Sequence, residues 1–114
     1  MFNRNSCVRG AIASPHAANI LLPWLVSQGL SPRYVVRDQN DDFMVVYTIS
    51  VNQTLAYSIT IFKRSGRVFG QKIQGADGSA SCERIGTRLY EIADCMKKEI
   101  PGLLEILAGL PEKH

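Results

Sequence analysis

Between residues 33 and 75 the chain alternates apolar and polar side chains through four runs rich in Val, Ile, Tyr, Phe and Thr, broken by turn-forming groups at Asn40 and Asp41, at 52–54, and at Ser65 and Gly66. Period-two alternation between short turns is the mark of half-buried strands, and it predicts a four-stranded antiparallel meander. Nothing else restricts the fold as strongly, because a sheet with one apolar face must find a cover for it.

Register follows from requiring the apolar set to share that face, since a one-residue slip turns every side chain around. A three-residue loop at 52–54 pairs Val51 with Leu55, Ile49 with Tyr57, Tyr47 with Ile59 and Val45 with Ile61. The same test pairs Tyr34 with Tyr47 and Val36 with Val45. With Ser65 and Gly66 as a tight turn, it pairs Ile61 with Gly70 and sets Phe62 opposite Phe69.

The cover comes from the two ends of the chain. Ser14 is placed to cap a helix that has Pro15 at its first position and continues through HAANILLPWLVSQ to Gly29. Pro23 should kink or split it, while Leu30 and Pro32 follow the glycine as a Schellman-type stop requires. A second helix is expected from Ser79 or Ser81 to about Glu99, with Cys82, Ile85, Leu89, Ile92 and Met96 at spacings of three and four. Ile100, Pro101 and Gly102 interrupt it, and LLEILAGL forms a last short helix. Residues 1–13 read as a loose arm. The fold expected is a single α+β domain, a two-layer sandwich with N-terminal and C-terminal helices packed on one face of the meander.

The other face then carries Arg33, Val35 and Arg37, next Met44, Val46 and Thr48, next Ser58, Thr60 and Phe62, and last Phe69, Gln71 and Ile73. Met44, Phe62 and Phe69 line up across three strands with Val46 and Val35 beside them, and Arg33, Arg37 and Gln71 border the patch. Burying three such side chains contributes ~1.5 to 3 kcal/mol each, enough to support a specific association. An apolar centre inside an Arg-bearing rim is how protein contact surfaces are commonly built. The competing expectation is that the arm or the last helix folds over this face as a second small core.

Other chemistry is sparse. Cys7, Cys82 and Cys95 are odd in number, with no CxxC, so they read as reduced thiols of a cytoplasmic protein rather than a disulfide framework or a zinc site. AANILLPWLV is too short to span a bilayer, and no membrane association is expected. His16 and His114 are the only histidines, and no GxSxG, HExxH or Walker sequence occurs, so no catalytic set, metal or cofactor is expected. Asp38, Asp41 and Asp42 crowd one turn tip, where solvation is their ordinary state. GADGSAS, residues 75–81, reads as a strand-to-helix loop; an anion at the helix entrance is the lesser reading.

The order helix, antiparallel strands, helix resembles the layout of the double-stranded-RNA-binding domain over residues 14 to 96. That family, by resemblance, contacts RNA through its first helix, the first interstrand loop and a basic start to its last helix. Here the corresponding loop is the acidic DQNDD, and SASCERIG holds only Arg84, with Arg88 one turn on and Glu83 among them. Nucleic-acid binding is therefore the second expectation. It would rest on Lys63, Arg64, Arg67, Lys72, Arg84 and Arg88, although a net charge of +3 names no partner. The first expectation is a non-enzymatic protein-binding module, self-associating or with a foreign partner, in which Val35, Met44, Val46, Phe62 and Phe69 are anchors and Arg33 and Arg37 the rim. A small chain with one adhesive face suits an inhibitor or adaptor, including immunity-type and anti-defence proteins of phages and mobile elements.

Overall fold

The computed structural model describes residues 15–39, 42–75 and 81–110. The expected arm over residues 1–13, the cap Ser14, the tip at Asp41 and the start at Ser79 lie outside the described residues. The elements run α1 (Pro15–Ser27), β1 (Ser31–Gln39), β2 (Asp42–Ser50), β3 (Leu55–Phe62), β4 (Val68–Gln74), β5 (Ser81–Gly86), α2 (Leu89–Met96) and α3 (Leu103–Ala108). All five strands join one antiparallel sheet in the order β1-β2-β3-β4-β5, an α+β architecture.

The sheet has five strands where the sequence reading has four. The stretch Ser81–Gly86, expected as the first turns of a helix, pairs antiparallel with β4: Ile73 faces Cys82 and Gln71 faces Arg84. Two effects favour the strand. Gly86 and the β-branched Thr87 interrupt helix formation, and pairing satisfies the backbone groups along the free side of β4. Cys82 and Ile85 mimic helical spacing, but a register shift at Gly70 and Gln71 leaves Ile85 as an extra residue, and it packs against the core. The helix begins only at Leu89, with Arg88 as its N-cap, so the anion site considered at its entrance has no helix to stand on.

The first two turns keep the expected register: Tyr34 faces Tyr47, Val36 faces Val45, and Ile49 faces Tyr57. At the third, Ile61 faces Val68 and Ile59 faces Gly70, two residues away from expectation. The cause is a longer turn. Phe62 N–H donates to the Arg67 carbonyl at 2.8 Å and Gly66 N–H to the Phe62 carbonyl at 2.8 Å, closing a loop over 63–66 with Gly66 at φ 75°. An even shift preserves parity, so every side chain stays on its expected face.

Helix α1 runs unbroken through Pro23. Pro23 and Asn19 are both exposed, so water can serve the Asn19 carbonyl that loses its intrahelical donor. The helix ends as a Schellman motif: Leu30 N–H reaches the Leu25 carbonyl at 3.1 Å, Gly29 N–H reaches Val26 at 2.9 Å, and Gly29 takes φ 83°.

One face of the sheet is buried. Val45, Tyr47, Ile49, Tyr57, Ile59, Ile61 and Val68 pack in a single cluster with Ala17, Leu21 and Leu25 of α1, Leu89, Ile92 and Met96 of α2, and Leu103 and Leu107 of α3. Gly70 and Gly86 lie opposite each other in β4 and β5, and their bare Cα atoms form the seat into which Ile92 fits. Tyr57 closes the far side, its hydroxyl donating to Glu99 Oε1 at 2.6 Å. Among the described residues no helix is long and apolar enough to cross a membrane.

Candidate binding surface on the open sheet face

The ladder turns the second face into rows that can be read across the strands. One row is Arg37, Met44 and Phe62, and the next is Val35, Val46, Thr60 and Phe69. A polar row follows: Arg33, Thr48, Ser58, Gln71 and Arg84. The last is Ser31, Ser50, Ala56, Ile73 and Cys82. Met44, Val46, Phe62 and Phe69 are half-buried by their own neighbours and take no part in the core cluster. Because Leu103 and Leu107 place α3 in that cluster, the last helix is not the cover of this face.

Phe62 and Phe69 are diagonal rather than directly opposite, because Phe69 faces Thr60. They still touch: the ring centroids are 6.2 Å apart with a 35° tilt. Each ring also carries a guanidinium. Arg67 Cζ stands 5.7 Å from the Phe62 centroid, and Arg84 Cζ stands 4.9 Å from that of Phe69. Larger side chains roof the small ones between them, leaving Ser58 and Thr60 only 6% and 5% exposed.

The anchors expected from sequence are thus gathered on one face, with Arg33 and Arg37 exposed along the β1 side. The six cations of the nucleic-acid reading are not gathered. Lys63 and Arg64 sit in the β3–β4 turn, and Arg67 and Arg84 lie over the two rings. Lys72 faces Tyr57 and Glu83 on the helix side, and Arg88 at the start of α2 donates to the Tyr90 hydroxyl at 3.1 Å. The order helix, antiparallel strands, helix is present, but the helix after the strands starts at Leu89, so Arg84 lies on strand β5 and not at a helix start.

Sequence reasoning left out the cation–π contacts of Arg67 and Arg84, which depend on the longer turn and on β5. It also left out Val36 and Phe43, 51% and 54% exposed, which lie on the helix-side face of the β1–β2 hairpin. By alternation they belong to the core face, yet they stay exposed near the hairpin's far end. Together with Val35, at 37%, they extend exposed apolar surface around both faces of that hairpin. No protein family, curated protein or solved structure matches the chain.

Proposed function

We propose that the protein is a non-enzymatic binding module that presses the open face of its sheet against another protein and acts, as an inhibitor or adaptor, by occupying that partner's surface. The observation behind this reading is the composition of the face. Met44, Val46, Phe62 and Phe69 form an apolar centre outside the core cluster, and arginines stand at both sheet edges. Apolar surface continuing to Val36 and Phe43 supports a macromolecular partner, because an isolated globule seldom keeps so much of it in water. Arginine beside aromatic anchors is the pairing that most often carries binding energy at such contacts.

The test places a photoreactive benzoylphenylalanine at Val46, on the open face, and in a second variant at Leu104, exposed in α3. Irradiation in the native host should join a second protein to the Val46 variant and not to the Leu104 variant. Equal labelling at both positions, or none at Val46, would remove the support for this surface.

A further inference from the structure

Apart from the β1–β2 tip, where Asp42 falls on this side by register, the open face carries charge of one sign. Among the described side chains on it, Arg33 and Arg37 stand at the β1 side and Arg67 and Arg84 over the two phenylalanines. The carboxylates whose side chains are described lie elsewhere. Glu83 falls on the helix side of the ladder, Glu91 and Asp94 belong to α2, Glu105 belongs to α3, and Glu99 holds Tyr57 on the core side. Among the described residues the ion pair present is Lys97 with Asp94 at 3.1 Å, in the helix layer. None of the four arginines has a carboxylate partner among the described side chains.

We infer that the partner meets this face with an acidic protein segment, whose carboxylates seat on Arg67 and Arg84 while apolar side chains fill the ground between them. The inference rests on the protein-binding reading above and names the chemistry of its partner. A guanidinium laid on a ring keeps its N–H edge free, and that edge matches a carboxylate bidentately. The cation–π contact also restrains the side chain before binding, so less rotamer freedom is lost when the carboxylate contact forms. Arg67 and Arg84 therefore stand as forks flanking Phe62 and Phe69, with Arg33 and Arg37 completing a positive border.

A second copy of the chain fits poorly. In a face-to-face twofold dimer the β1 side meets either itself or the β5 side, and in both cases arginine meets arginine. Single-stranded nucleic acid is also disfavoured. Its bases would need the ring faces that Arg67 and Arg84 occupy, and Lys72 and Arg88 lie away from this surface.

The experiment measures fluorescence anisotropy of three labelled probes with the intact protein: a random glutamate–tyrosine copolymer, a lysine–tyrosine copolymer and oligothymidylate. The glutamate–tyrosine probe should bind. Arg67→Gln and Arg84→Gln should each weaken it about tenfold, the loss expected for one good charge-assisted contact. Arg84→Lys, which keeps the charge but not the fork, should recover only part of the affinity. Circular dichroism checks that each of the three variants folds. Equal binding of the lysine copolymer, tighter binding of oligothymidylate, or no effect of the glutamine variants overturns the inference. So does a dimer in light scattering that Phe62→Asp dissolves. If the Val46 crosslink forms but the glutamate probe does not bind, the acidic partner is rejected and the protein-binding reading stands. If neither occurs, both are rejected.

Discussion

Gly70 lies so close under Ile92 that a Cβ placed on it would fall 2.8 Å from both Cγ1 and Cγ2 of that side chain. Ile92 is fully buried, and its branched end cannot swing away without leaving the seat formed by Gly70 and Gly86. Gly70→Ala should therefore lift α2 from the sheet and cost ~1 to 3 kcal/mol, the usual range for an overpacked core. Urea unfolding checks the loss, and a double-mutant cycle checks its cause. Ile92→Ala alone should be costly, and adding Gly70→Ala to it should cost much less than in the native background. Additive losses would mean that the two residues do not share this contact.

The fifth strand makes a covalent prediction. Ile73 and Cys82 are direct partners across β4 and β5, on the open face. A cysteine at position 73, with Cys7 and Cys95 replaced by serine, should form a disulfide with Cys82 under mild oxidation. A cysteine at Lys72, whose side chain points to the other face, should not. Thiol titration and mass spectrometry read the outcome. Had residues 81–86 been the helix that their apolar spacing suggests, the two positions would not differ in this way.

Alkali should unfold the protein through its buried tyrosines. Tyr57 is held well above the ordinary phenol range, first by burial, then by the hydrogen bond it donates to Glu99 and by that carboxylate's charge. Tyr47 is raised by burial and by Tyr34, whose ring centroid is 5.2 Å away. A folded-state value above the unfolded one, about 10 for tyrosine, means that the stabilisation is complete below pH ~10. It is lost as pH rises from there toward the folded value. Unfolding free energy should be flat through neutral pH in this respect and fall above pH ~10. Tyr57→Phe should make that fall shallower while lowering neutral stability through the lost hydrogen bond, by roughly 1 kcal/mol. An unchanged alkaline slope in the variant would show that Tyr57 does not carry it.

Alternation was enough to place side chains on faces, because parity survives an even error in register. That is why Phe62 and Phe69 came out on the correct face although the turn between them is two residues longer than Ser65 and Gly66 alone imply. Helical periodicity was a weaker guide. Leu89, Ile92 and Met96 do face the core from α2, but Cys82 and Ile85 fit the same spacing while lying on a strand with an extra residue. Short apolar patterns cannot separate the two states; the free backbone of β4, a tertiary feature, decides between them. The anchors of the candidate surface were legible for the first reason, and the arginines over the two rings were hidden by the second.

Ile61 and Phe62 are sequence neighbours on opposite faces, which lets one pair of variants separate core from surface. Ile61 is 1% exposed inside the cluster, so Ile61→Ala should cost ~2 to 5 kcal/mol through lost burial and the cavity left behind. Phe62 is half-buried and outside the cluster; its packing is with Phe69 and with the guanidinium of Arg67. Phe62→Asp gives up those contacts, worth about 1 to 2 kcal/mol together, and leaves the carboxylate in reach of water and of Arg67. The expected result is a folded protein with native circular dichroism, a modest drop in urea midpoint, and no crosslink from Val46. The opposite ordering, with Phe62→Asp as damaging as Ile61→Ala, would mean that the face is buried in the native protein. The anchors Met44, Val46, Phe62 and Phe69 would then belong to a second core instead of a docking surface.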